Sequence, residues 1–176
     1  KIKAADRTKD ILANRGIRVG GTDFDQQLSM KQVMPSLGAG SMYGAKKLEM
    51  PTWIYMDLST WSNVNFVYEH KVVAEIKALR KESKKPKLLE RLWAVLEHQS
   101  GQHQPGDVER AKIALSADDE TLLDLAYIES GFSIPVSQKN FETSIADLVR
   151  RVEDCIAQTV TDAAVPAAQI NNVFLT

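Results

Sequence analysis

Three polar side chains of one predicted helix have the types and spacing to form hydrogen bonds with a single ligand. Glu109, Lys112 and Ser116 are three and four residues apart, and this spacing places side chains on one face of an α-helix. A carboxylate, an ammonium group and a hydroxyl on one face combine hydrogen-bond acceptors and donors. The simpler interpretation is a solvated Glu–Lys pair on an exposed helix, which contributes only a few tenths of a kcal/mol. Spacing alone favours that simpler interpretation.

Composition excludes several other kinds of site. The 176 residues include one cysteine, Cys155, and three histidines without a neighbouring cysteine pair, which rules out an internal disulfide and the usual zinc motifs. A net charge of −1 argues against a nucleic-acid partner, because such a partner is usually bound by a large surplus of positive charge. No apolar run approaches the ~20 residues that span a bilayer, and no signal peptide opens the sequence, so we expect no membrane partner and a cytoplasmic location. The chain begins without methionine, and we expect a piece of a longer protein.

A glycine pair marks the first boundary between predicted elements. Two short strands are expected between residues 11 and 19, followed by Gly20 and Gly21 as a break. Thr22 and Asp25 have the spacing of a capping box, in which each side chain binds a free N–H group of the first helical turn. We therefore predict a short helix from Thr22 to Pro35.

The remainder of the chain is predicted to form helices, followed by a hairpin and a long helix. Apolar periodicity predicts two helices at 66–83 and 88–96, a third that Asp107 caps, a hairpin of 121–128 with 132–136, a long helix capped by Ser137, and a last strand at 173–176. Together these elements indicate a mixed α/β chain with a helical middle.

Three stretches, in this order, resemble the second lobe of the nucleotide-binding domain of DnaK-type (heat-shock seventy) chaperones. They are the run from Ile11 through Gly20-Gly21-Thr22-Asp23-Phe24-Asp25, the helix Glu109-Arg110-Ala111-Lys112-Ile113-Ala114-Leu115-Ser116, and the segment from Leu125 through the hairpin and last helix to Leu175. Each motif is weak alone, since a Gly-Gly pair before a helix is common, but three in the family's order are specific. The segment Pro51–Leu58 is similar to the YegD-like bacterial subgroup.

The resemblance implies an α/β (α+β) fold that is a fragment of the actin-like ATPase fold. Residues 1–22 and 138–176 would form its inner, ribonuclease H-like sheet part, with the strands at 11–19 and 173–176 in one sheet. Residues 23–137 would form an outer subdomain of helices and a hairpin, enlarged at about 35–100 relative to ordinary members of the family.

The resemblance also assigns roles to individual residues. In the family, the helix that corresponds to residues 109–116 lines the adenosine side of the nucleotide cleft. Glu109 and Lys112 would then bind the ribose hydroxyls, Ser116 the adenine or ribose edge, and Gly20 and Gly21 would approach the nucleotide through their backbone.

Two departures from the family's pattern concern chemistry. Ile113 stands where the family has an arginine that stacks on the adenine, so a cation–π contribution of about 0.5–2 kcal/mol is lost. The family's catalytic residues and phosphate loops match no part of this sequence. The full-length parent would be a chaperone ATPase that binds ATP or ADP with magnesium, whereas we expect this chain alone not to hydrolyse ATP. A nucleotide-exchange factor or co-chaperone would be its partner on the outer subdomain.

Two alternative functions are compatible with the same sequence. The first is a filament-forming cytoskeletal relative on the actin-like fold. The second is an interaction module that needs no nucleotide and uses a cluster of aromatic residues at 43–68 and a basic run. That run carries seven lysines and arginines, namely Lys77, Arg80, Lys81, Lys84, Lys85, Lys87 and Arg91. A solvated helix–turn–helix tip without any partner is the simpler explanation of this run and is favoured over a docking patch for an acidic partner.

Overall fold

The computed structural model describes residues 10–174 and divides the chain into two compact units. One unit is the continuous segment Gly20–Ile145, and the other combines the chain before Gly20 with the chain from Ala146 onward. The sequence resemblance places a similar division at residues 22 and 138, and its interpretation as inner and outer parts of a lobe remains a prediction.

Helices dominate the Gly20–Ile145 unit, with two small antiparallel sheets beside them. Its elements in chain order are α1 (Gly21–Leu28), β1 (Met42–Tyr43), β2 (Leu48–Glu49), α2 (Thr52–Leu58), α3 (His70–Glu82), α4 (Pro86–Glu97), α5 (His103–Ala114), β3 (Glu120–Asp124), β4 (Ser133–Ser137) and the start of α6 (Gln138–Ala163). Short 3₁₀ segments at Val64–Tyr68 and Ser100–Gln102 connect neighbouring helices.

The first helix changes its hydrogen-bonding pattern twice. Helix α1 continues without interruption into a π-helical turn, Ser29–Val33, and then into a 3₁₀ segment, Met34–Leu37. A π-turn bonds residues five apart, so it brings Leu28 and Val33 to one side, where both are completely buried. The predicted end at Pro35 is therefore close to the observed end, but the path between is not a regular α-helix.

Helices α3 and α4 form an antiparallel pair that agrees with the predicted periodicity. Lys85 precedes Pro86, which occupies the first helical position of α4, where its missing N–H group costs nothing. Ile76 of α3 and Leu89 and Leu92 of α4 are buried in the common core. Both helices predicted at 66–83 and 88–96 are present, but the first begins at His70, because Val64–Tyr68 forms a separate 3₁₀ segment.

The hairpin β3–β4 leads directly into the long helix α6. Its register pairs Glu120 with Ser137 and Leu122 with Pro135. Ser137 also caps α6, because its Oγ accepts a hydrogen bond from the Asn140 N–H at 3.1 Å. The hairpin and this cap are as the sequence predicts, except that the first strand, expected at 121–128, ends at Asp124.

The start of α5 differs from the prediction. The helix begins at His103, four residues before the expected cap. Asp107 lies inside the helix, where it forms an ion pair with Arg110 one turn later. Pro105 is tolerated there because the first N–H groups of a helix have no partner within it.

In the second unit, residues 146–163 continue α6, and an ion pair joins Asp162 to Arg15. The predicted strands at 11–19 are wrong, because residues 11–20 have no regular secondary structure. Residues 170–174 likewise form no strand, and the rest of the strand predicted at 173–176 lies outside the described residues. A strand requires a neighbour for its backbone hydrogen bonds, and neither segment has one within residues 10–174.

The described part of the chain is thus an α+β fold with two two-stranded sheets. Within it, every helix is too short or too polar to cross a membrane.

Candidate functional site

The predicted glycine pair forms the entrance to α1, although its cap differs from the expected one. Gly20 is the extended residue before the helix, and Gly21 is the first helical residue. The Gly20 N–H donates to Asp23 Oδ2 at 2.7 Å, and the Asp23 N–H donates back to the Gly20 carbonyl at 3.0 Å. The capping box predicted for Thr22 and Asp25 is therefore wrong. The Asp23 carboxylate caps α1 instead, so the Asp25 carboxylate can form another contact.

Both glycines are open to solvent on the side where a side chain would project. A Cβ added to Gly20 would meet only Asp23, at 3.9 Å, and one added to Gly21 would meet only the Lys112 ammonium group, at 3.6 Å. The backbone here is accessible to a ligand, as a glycine pair that approaches a ligand through its main chain requires.

Helix α5 carries three of the other predicted site residues, and Glu109 and Ile113 lie on the face opposite its buried one. Val108 and Ala111 pack into the core. Glu109 is exposed, Ile113 is 61% exposed and Lys112 is half-buried between the two faces. An isoleucine so exposed contributes little to the core, which leaves its apolar surface available to a ligand.

Ser116 lies outside the regular part of this helix. Helix α5 ends at Ala114, and the Ser116 N–H donates to the Ile113 carbonyl at 3.0 Å in a tightened last turn. Its side chain is exposed. Because the helix ends before Ser116, the spacing of seven residues from Glu109 does not place the two side chains on one helical face. The prediction that Ser116 lies on a regular helix with Glu109 is wrong for this reason.

An ion pair joins the two motifs across 87 residues of sequence. The Lys112 ammonium group lies 2.7 Å from Asp25 Oδ1 and 2.9 Å from Oδ2, and 3.4 Å from the Gly21 carbonyl oxygen. The side chains of Lys112 and Asp25 are only 20% and 14% exposed. Lys112 therefore fixes α5 against the first turn of α1, beside the glycine pair.

Burial determines the electrostatics of this contact. It raises the pKa of Asp25 above its ordinary value, the hydrogen bond and charge of Lys112 act in the opposite direction, and the charge of Glu109 raises it further. Glu109 is thus close enough to influence the ion pair while its own side chain stays exposed.

The structure therefore gathers Gly21, Lys112 and Glu109 around Asp25, with Gly20 directly before Gly21 in the chain. Sequence reasoning missed Asp25 as a partner of Lys112, because its position in the motif suggested a helix cap. The motif has two carboxylates and the cap of α1 uses only that of Asp23. The second carboxylate, that of Asp25, was the signal that could have identified an ion-pair partner.

The basic run of α3 and α4 separates into two groups. Arg80 binds Glu90, with 2.7 Å between its Nε and Oε1, while Lys87 and Arg91 both bind Glu129. The other four lysines of the run have exposed side chains and no ion pair within residues 10–174.

The predicted aromatic cluster is also divided, with Tyr55 buried in the core and Trp53, Trp61 and Phe66 exposed.

No protein-family model matches the chain, and no solved structure matches it.

Proposed function

We propose that this chain is part of the second lobe of a DnaK-like, actin-type ATPase domain and contributes the adenosine side of its nucleotide cleft. The observation that carries the proposal is the Lys112–Asp25 ion pair, because it brings the Gly20-Gly21 motif beside the helix of Glu109 and Lys112. Two motifs that resemble the nucleotide contacts of one family, far apart in sequence, are neighbours in the fold.

The residues at this surface suit an adenosine moiety. The Glu109 carboxylate can accept hydrogen bonds from ribose hydroxyls, and the remaining N–H capacity of Lys112 can donate one. The exposed side chain of Ile113 can cover the apolar face of an adenine ring, and the exposed Ser116 hydroxyl can bind its edge or the ribose. The bound nucleotide would supply the phosphates and magnesium of a phosphoryl transfer.

Lys112 also has a structural role, which is separate from ligand binding. Its contacts with Asp25 and the Gly21 carbonyl occupy most of its hydrogen-bonding capacity, so it positions the glycine pair in addition to facing the ligand. Glu109 and Ile113 have no such structural role and are the residues on which a binding experiment should act.

The test is an adenosine titration followed by nuclear magnetic resonance, which detects weak binding. We expect shifts at Gly20, Gly21 and residues 109–116 on adding adenosine, AMP or ADP. Losing a hydrogen bond from a charged group typically weakens binding roughly 10- to 150-fold, so Glu109→Ala should weaken all three compounds together. Ile113→Arg should tighten them, because it supplies a stacking cation.

Glu75→Ala is the matched control, since Glu75 is an exposed glutamate on α3. Binding that is unchanged by both Glu109→Ala and Ile113→Arg would refute the adenosine site. A complete absence of adenosine-dependent shifts would instead favour a nucleotide-independent interaction module.

A further inference from the structure

The hairpin β1–β2 and the turn between α3 and α4 form one continuous surface. The Gly44 N–H donates to the Glu82 carbonyl at 3.0 Å, and the Lys84 N–H donates to the Met42 carbonyl at 2.9 Å. Tyr43 and Ser83 are paired as an isolated β-bridge between these two hydrogen bonds. Backbone pairing thus holds two segments about 40 residues apart in sequence in a fixed relation.

This surface concentrates lysines that the fold does not use. We define the basic tip as Lys46, Lys47, Lys81, Lys84 and Lys85. All five are exposed, and none has an ion pair within the described residues 10–174.

Few negative charges offset the basic tip. Glu49 and Glu82 are the acidic residues of the two segments, residues 42–49 and 81–85. The basic tip therefore has an excess of positive charge on a chain whose net charge is −1. Such a separation of charge attracts an oppositely charged partner and speeds its association.

Apolar side chains lie among these charges. Met42 is 42% exposed and Leu48 is 51% exposed. Leu48 lies opposite Tyr43 in the hairpin register, so these two side chains share one face of the ribbon, whereas Met42 pairs with Glu49 and lies on the other face. The exposed Leu48 directly follows Lys46 and Lys47 in the chain. A nucleic-acid backbone would leave Leu48 in water, whereas a peptide with both acidic and apolar side chains would cover it.

We propose that the basic tip is a docking surface for an acidic segment of a partner protein, one in which apolar residues are interspersed among Asp or Glu residues. Lys46, Lys47, Lys84 and Lys85 bind its carboxylates, and Leu48 contacts an apolar side chain. This binding needs no nucleotide, and its surface shares no residue with the candidate adenosine site.

Fluorescence anisotropy with a short labelled peptide of Asp and Glu residues, with a leucine at every third or fourth position, tests the proposal. The triple variant Lys47→Gln/Lys84→Gln/Lys85→Gln should bind it about tenfold more weakly, because each exposed charge pair contributes roughly two- to threefold. Leu48→Ser should weaken binding of this peptide about threefold and leave unchanged the binding of a peptide with glycine in place of leucine.

The control is Lys31→Gln/Lys71→Gln/Lys139→Gln, which removes the same charge from exposed lysines outside the basic tip. We expect this control to bind the peptide like the unchanged protein. An equal loss in both triple variants would overturn the proposal, since it would show only non-specific attraction. Tighter binding of a single-stranded oligonucleotide than of the peptide, or no peptide binding by the unchanged protein, would also overturn it.

Discussion

Replacing Lys112 with methionine tests whether the ion pair with Asp25 holds α5 against α1. Methionine keeps an apolar stem of similar length but leaves the Asp25 carboxylate, 14% exposed, without its cation. Breaking a fully buried pair in this way costs about 3–5 kcal/mol. Because both partners keep some contact with solvent, we expect a smaller loss, of about 2 kcal/mol in the free energy of unfolding at pH 7.

The loss should depend on pH in a defined direction. Burial already raises the pKa of Asp25, and Lys112 opposes that increase. In Lys112→Met the folded-state pKa of Asp25 therefore rises further above its unfolded-state value, and the folded protein binds the extra proton. Stability then falls as pH rises through the interval between the two pKa values. We expect a clearly smaller difference between variant and unchanged protein at pH 4.5 than at pH 7.

Urea unfolding, followed by tryptophan fluorescence at both pH values, measures this difference. The double variant Asp25→Asn/Lys112→Met should recover much of the lost stability, because it removes the unpaired charge together with its partner. Lys139→Met serves as a control, since Lys139 is exposed, and its effect should be within about 0.5 kcal/mol. A loss that is the same at both pH values, or that the double variant does not relieve, would refute the electrostatic reasoning.

Two further predictions concern packing elsewhere in the Gly20–Ile145 unit. Gly38→Ala should destabilise the protein by about 2–3 kcal/mol, because Gly38 has a φ of +108° and an added Cβ would lie 2.7 Å from Leu89. Gly40→Ala, at a φ of +73° with nothing within 4 Å, should cost only about 1 kcal/mol, and equal losses in urea unfolding would contradict the steric argument. Arg91→Lys should cost about 1 kcal/mol in the same assay, because lysine cannot reproduce the planar stacking of Arg91 over Phe132, 3.8 Å from the ring centre, together with the ion pair to Glu129. No loss of stability would show that charge alone matters there.

Elements that depend on local periodicity were predictable from the sequence. Helices α3 and α4, the β3–β4 hairpin and the Ser137 cap all follow from apolar spacing and turn residues within one segment. The strands expected at 11–19 were not correct, because a strand depends on a partner that apolar residues alone do not guarantee.

The candidate site was predictable only in part, because its defining contact is tertiary. The spacing of Glu109 and Lys112 correctly indicated one helix with an exposed face. The Asp25 carboxylate, which the α1 cap does not use, was the one indication of this ion pair, and it does not identify Lys112, 87 positions away, as the partner. The early start of α5 at His103 was hidden for a different reason: Pro105 and Gly106 are typical of a loop, yet both lie in the first turns of the helix.

The π-helical turn at Ser29–Val33 holds one residue more than an ordinary α-helical turn. It brings Leu28 and Val33, five positions apart, to the same buried side. Deleting one residue from the turn would leave them four positions apart, which is the spacing that shares one face of an α-helix. Val33, Met34 and Leu37, which are fully buried, would therefore still face the core. A second deletion, or an insertion, would rotate them by about 100° around the helix axis, so this helix should tolerate the loss of one residue but not of two.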